Sequence, residues 1–222
     1  QNNPKVHDWV EAWAARNGCA PSPDVKTPGK NVTQEPWGGC RGDTLVTLYS
    51  TEAGHSWPGS DFRIDLGGPT QAIDATEVIW EFFAAHPQTD VTLGDNSAEE
   101  PPAPTQASVT DSAYPTAGEY FEVIHTGGFE RTFKVHIPPS YDTQTPTPLV
   151  LSYHGRGSNA FDHAVFSDFS AKADEVGFIV VYPQATGSPT TWQDLPFESE
   201  YSDTDVNEVL FASDFLDHPE RE

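Results

Sequence analysis

The chain has 222 residues, with 34 acidic against 11 basic side chains and a net charge of −23. Such a surface repels nucleic acid and the anionic face of a membrane, so neither is an expected partner, and no apolar run reaches the roughly 18 residues that a bilayer span needs. A hydrophobic fraction of 36% with six Trp and thirteen Phe supports a packed core rather than disorder.

The length suits one α/β domain or two small ones. The acidic residues are spread along the chain, as in a solubilising or salt-adapted surface. No signal peptide is visible. With Gln1 in first place and no Met, the sequence is expected to be a processed chain, a fragment or an internal piece of a longer protein.

In chain order, Val6, Trp9, Val10 and Trp13 recur at helical spacing and predict an apolar stripe on a helix ending near Asn17-Gly18. Residues 20–43 are rich in Gly and Pro and read as loop. Cys19 and Cys40, the only cysteines, lie 21 positions apart and are expected to form a disulfide, with two free thiols as the alternative. Closing that loop contributes about 3 kcal/mol in the chain-entropy account. Asn31-Val32-Thr33 is an N-glycosylation sequon inside it. Thr44 to Thr51 is β-prone. A second helix carries Ile73, Val78, Ile79, Trp80, Phe82 and Phe83, starts around Asp74 and Glu77, and stops before His86-Pro87.

Residues 88–118 are rich in Pro, Ser and Thr and read as a linker between a first segment, 1–87, and a last one, 119–222. In the last segment, Phe121 to His125 and Thr132 to Ile137 predict paired strands around Gly127-Gly128. Pro148 to Tyr153 reads as a buried central strand. Ala160 to Glu175 reads as one helix with Ala164, Phe166, Phe169 and Ala173 inward, and Gly177 to Tyr182 as another buried strand. Asp205 to Leu216 closes as a helix with Val206, Val209, Leu210, Ala212, Phe215 and Leu216 toward the core. Strands alternating with helices make the fold class α/β.

Two loops carry candidate chemistry. Gly54-His55-Ser56-Trp57-Pro58-Gly59 follows a strand and offers a histidine in a tight turn, a setting suited to a proton shuttle. A structural or merely exposed histidine is the alternative. Tyr153-His154-Gly155-Arg156-Gly157-Ser158 follows an apolar run, and its glycines would let backbone N–H groups face a developing oxyanion. The alternative is an ordinary strand-to-helix turn in which His154 is a packed residue and Arg156 a solvated charge. The histidines and acids show no metal-ligand spacing, so no metal is expected. No cofactor motif is present.

Together these motifs resemble the secreted α/β-hydrolase esterases, the family of feruloyl esterases, acetylxylan esterases and polyhydroxybutyrate depolymerases. The downstream segment is similar to that family's amino-terminal half through Arg131-Thr132-Phe133-Lys134-Val135-His136-Ile137-Pro138-Pro139-Ser140-Tyr141, the Tyr153–Ser158 loop, and Ala173 through Pro183. Asp205-Val206-Asn207-Glu208-Val209-Leu210-Phe211 resembles the acidic helix start before its nucleophile strand. The upstream segment is similar to its carboxyl end through Asn17-Gly18-Cys19, Leu48-Tyr49 and the His55 loop.

The resemblance implies an α/β-hydrolase type sheet, incomplete here because the nucleophile-elbow strand is missing. It implies a secreted, extracellular serine esterase acting on an ester substrate, polymeric in some members. His55 would be the catalytic histidine, and the N–H groups of Gly155 and Arg156 the oxyanion hole. Trp57 and Trp192 would line the acyl pocket, with core packing as the alternative for each.

The chain departs from the family in two respects. No Gly-x-Ser-x-Gly pattern occurs in it, and no acid can be assigned to His55. The carboxyl-like part also precedes the amino-like part, as expected of a piece of a tandem-domain esterase or of a rearranged single domain. Other readings are a non-catalytic relic or binding module of the same fold, or a peptidase of that fold.

Overall fold

The computed structural model describes residues 6–52, 54–61, 70–86, 114, 116–192 and 206–216. The chain divides into two units, Gln1–Val91 and Thr92–Glu222. Most of the expected linker (88–113 and 115), the start of the last expected helix at Asp205 and residues 217–222 lie outside the described residues.

The first unit holds helix α1 (Val6–Arg16), strands β1 (Lys26–Gly29), β2 (Val32–Trp37) and β3 (Val46–Thr51), and helix α2 (Ala75–Ala85). The strands form an antiparallel sheet in the order β1-β2-β3. Residues 20–43, expected as loop, therefore contain a hairpin. Its connection is only Lys30-Asn31, and Asn31 takes the left-handed conformation, φ 58°, that tight hairpins need. Pro28 and Pro36 fall inside these short strands, which is why composition alone reads the region as irregular.

Helix α1 is turned away from the expected stripe. Val10 and Ala14, one turn apart, pack against Trp37, Val46 and Leu48, whereas Val6, Trp9 and Trp13 stay exposed. The small Ala14 lets the helix approach the Trp37 ring, which is itself 1% exposed. The tryptophans outside meet edge to face, and the Arg16 guanidinium sits 4.4 Å over Trp13. Helix α2 matches its sequence signals. Asp74 accepts from the Glu77 N–H as an N-cap, and the helix ends at His86.

The second unit is mixed α/β. Strands β4 (Gly118–Thr126) and β5 (Phe129–Ile137) form the expected hairpin, and Gly127 and Gly128 both take positive φ in its two-residue turn. Strands β6 (Leu149–Leu151) and β7 (Ile179–Pro183) complete a sheet in the order β4-β5-β7-β6. Only β6 and β7 run parallel. They are joined by a crossover through α3 (Ala160–Ser167) and α4 (Phe169–Val176).

Alternation along the strands sends side chains to two helical layers. Ile124, Phe133, Val135, Ile137 and Val181 meet Phe211 and Phe215 of α5 (Glu208–Leu216). On the opposite face, His136 bonds Asp174 of α4, and Tyr182 bonds Ser170.

Three expectations for this unit are corrected. Strand β6 is not central: among the described residues it pairs only with β7, and Leu149 is half-exposed at the edge. The single helix expected over 160–175 is two, because Asp168 turns left-handed at φ 56° and so allows both Ser167 and Phe169 to be buried. On α5 the inward face is Phe211 and Phe215, one turn apart against Phe133, while Val209, Leu210 and Leu216 are exposed. Val206 and Phe215 are buried and Ala212 packs against the core, as expected, and Phe211 takes the inward place expected of Val209, Leu210 and Leu216.

Candidate functional site

The loop after β6 is built by a buried histidine. His154, 2% exposed, directs Nδ1 to the Gly155 carbonyl at 2.8 Å, while Nε2 receives the Ala185 N–H at 3.1 Å. These partners fix the tautomer, with the proton on Nδ1. Burial lowers the pKa of His154, partly opposed by its bond to Gly155. The Trp192 indole N–H donates to the His154 carbonyl at 2.7 Å, and its ring packs against Tyr153 and His154. Trp192 therefore clamps the base of the loop.

Gly155 to Ser158 close a β-turn, with Ser158 N–H donating to the Gly155 carbonyl at 3.1 Å. Gly157 sits at the third position with φ 78°, where a type II turn favours glycine. Gly157 N–H donates to Thr190, and the Thr190 hydroxyl to the Ser158 carbonyl. The N–H groups of Gly157 and Ser158 are thus engaged within the protein. Gly155 N–H meets no acceptor among the described residues, and a Cβ placed there would meet open space. A planar acyl group could thus approach that backbone directly.

Behind the loop lies a pair that periodicity alone does not reveal. Ser152 Oγ and His163 Nε2 are 3.0 Å apart, both side chains buried between β6 and α3. Burial, with His154 adding to it, pushes the His163 pKa down to about 4. The sequence signal was a polar residue closing the apolar run of β6. His136 is likewise held on both sides, by Glu119 through Nδ1 and Asp174 through Nε2, each at 2.7 Å. Beside the loop, Gln184 accepts the Ala160 N–H and lines a cleft of about 230 Å³ with Phe121, Val123, Thr132 and Phe161.

In the first unit, His55 is exposed at the centre of a three-residue turn closed by Ser56 N–H to the Gly54 carbonyl, 2.8 Å. Among the described residues no hydrogen bond to its ring is present. Trp57 is half-buried and donates from its indole to Thr76 Oγ1 at 2.9 Å, so it pins the His55 loop to α2. Gly59, at φ 89°, lies against Asp74, and a Cβ there would come within 2.7 Å of the Asp74 Cα.

Cys19 and Cys40 are joined in a disulfide. His7, Asp8 and Glu11 bring ligand atoms within 4.8 Å of one another. However, His7 already faces Glu11 and Glu35 in ion-pair geometry, so the cluster reads as a surface network. Among the described residues no helix is long and apolar enough to cross a membrane.

Comparison with protein-family models and with curated protein sequences gives no match. Among solved structures, an S-formylglutathione hydrolase from Agrobacterium tumefaciens aligns at TM-score 0.29 and 21% identity, over 40% of this chain and 31% of that one. The chain thus spans less than a third of that structure's length. An overlap of that size is local and carries no argument about activity.

Proposed function

We propose that the chain carries parts of a secreted serine carboxylesterase of α/β-hydrolase type, without its nucleophile. The observation that carries this reading is the Tyr153–Ser158 loop. It follows a strand parallel to its neighbour, is held by neutral His154, and has at Gly155 an N–H without an acceptor among the described residues and open space where a Cβ would stand. Such preorganised backbone donors suit the tetrahedral oxyanion of acyl transfer. On this reading Gly155 and Arg156 are oxyanion donors contributed by the second unit, and exposed His55, on its Trp57-braced loop, is a proton shuttle contributed by the first, each taken by itself.

The disulfide supports an extracellular setting. The substrates are esters of plant-wall polysaccharides, feruloyl or acetyl, or polyhydroxyalkanoate polyesters. On this reading the 222 residues by themselves neither react with a fluorophosphonate nor hydrolyse p-nitrophenyl acetate or methyl ferulate, because they contain no serine elbow.

A second reading, a non-catalytic binding module of the same fold, is favoured by that same missing pattern. The two are separated on the translated product of the complete reading frame. The esterase reading expects one fluorophosphonate-labelled serine in a Gly-x-Ser-x-Gly sequence and ester hydrolysis. A product without such a serine leaves the binding module.

A further inference from the structure

The sequon Asn31-Val32-Thr33 is not used by the chemistry above, and the hairpin places it in a particular way. Asn31 occupies the second position of the two-residue turn between β1 and β2 and is exposed there. Its backbone is occupied, since the Asn31 carbonyl accepts the Glu52 N–H at 3.3 Å. Its side chain makes no hydrogen bond among the described residues. Val32, the middle residue, is 1% exposed, whereas Thr33 is only half-buried. The sheet therefore draws the middle side chain inward and leaves the two chemically required ones outside. No other Asn-x-Ser/Thr pattern with a residue other than Pro between occurs in the chain.

We propose that Asn31 is an N-glycosylation acceptor that carries one oligosaccharide at the tip of the β1–β2 hairpin. The donor is a polyprenyl-pyrophosphate-linked oligosaccharide. Asn31 Nδ2 forms a bond to the anomeric carbon of the first sugar and gives up one proton to a base of the transferase. The bond from that carbon to the pyrophosphate oxygen breaks, and the lipid pyrophosphate leaves. The tip is a fitting place for the adduct, because it interrupts no side-chain contact and extends the turn into solvent. The proposal rests on the export part of the functional reading and is independent of its catalytic part.

The test translates the 222-residue chain behind a cleavable signal sequence into microsomes, which reads glycosylation whether or not the product folds. One mobility shift is expected, and it should be removed by peptide N-glycosidase. T33V keeps the left-handed asparagine and a β-branched strand residue and should lose the shift; T33S should keep it. An unshifted wild-type chain, or a shift that persists in T33V, overturns the proposal.

The structural part is tested on secreted protein from a glycosylating host. Glycosylated and enzymatically deglycosylated forms should melt at the same temperature. A lower melting temperature for the glycosylated form means that the turn is not open to the sugar. Ester hydrolysis enters none of these readouts, so their failure leaves the catalytic reading untouched.

Discussion

Arg131 Nη2 lies 2.8 Å from Glu208 Oε2, with the two side chains only 1% and 8% exposed, and this buried ion pair ties the start of β5 to the first turn of α5. The guanidinium also donates to the Gln184 carbonyl and lies 3.9 Å above the Phe211 ring. Removing Glu208 leaves the guanidinium buried without its counter-charge, with only the Gln184 carbonyl and the Phe211 face beside it among the described residues, and breaking such a buried pair costs about 3–5 kcal/mol. E208A should therefore unfold the second unit at markedly lower urea concentration. The double variant R131M/E208L, which buries apolar groups in place of both charges, should recover most of the loss. If E208A shifts the urea midpoint no more than a surface substitution does, the pair is not holding α5.

The Ser152–His163 pair sets a pH dependence. His163 is neutral in the folded protein down to about pH 4, whereas in the unfolded chain an ordinary histidine takes up its proton below about pH 6.5. The unfolded state thus binds more protons between those values. The associated stability is complete above about pH 6.5 and is lost as the pH falls toward 4, to a limit of about 3 kcal/mol. His154, lowered in the same direction by burial, adds to the slope. H163Q, able to keep a hydrogen bond to Ser152, should flatten the midpoint-against-pH curve over this window. An equal slope in both proteins would mean that other groups carry it.

Both relationships explain what could be read from the sequence and what could not. Gly127-Gly128 between alternating apolar residues leaves one local solution, and the hairpin follows from it. Asp74 followed by Glu77 is likewise a local cap signal. Asn31 is also local, but Pro28 and Pro36 around it give the composition of a loop, and only the pairing of β2 with β3 makes a strand of residues 32–37. The inward face of α5 depends on where Phe133 stands in a neighbouring strand, and the Asp168 break depends on what lies under Ser167 and Phe169. At the candidate site, the sequence marked the glycine loop. It did not mark the Trp192, Thr190 and Gln184 contacts that hold it, because these arise from residues about 30 or more positions away.

The disulfide should matter most for the first unit. Cys19 packs against the small cluster of Val10, Ala14 and Trp37, and the bridge closes a loop of 21 positions. Loop closure of that length is worth about 3 kcal/mol, which for a unit of this size lowers Tm by about 10 °C or more when lost. C19S/C40S should show this shift, and dithiothreitol should reproduce it in the wild type but not in the variant. Equal melting of oxidised and reduced protein would place the stability of this unit in its core instead.

Two glycines on the candidate loops should respond oppositely to the same substitution. Gly59 has φ 89°, and an added Cβ would stand 2.7 Å from the Asp74 Cα, a backbone atom that cannot move without shifting the start of α2. G59A should cost about 1–3 kcal/mol through this conformational strain and overlap. It should also disturb the Trp57 indole bonded to Thr76, visible as a change in tryptophan fluorescence. Gly155 has an ordinary φ, and a Cβ there meets nothing within 4 Å. G155A should therefore leave stability within about 0.5 kcal/mol of the wild type. On the esterase reading, its methyl group would still crowd the N–H that faces the oxyanion. In the product of the complete reading frame, G155A is then expected to lower kcat with little change in Tm. A G155A protein that is destabilised as much as G59A would mean that the space above the loop is filled, and the open approach to Gly155 would be lost as an argument.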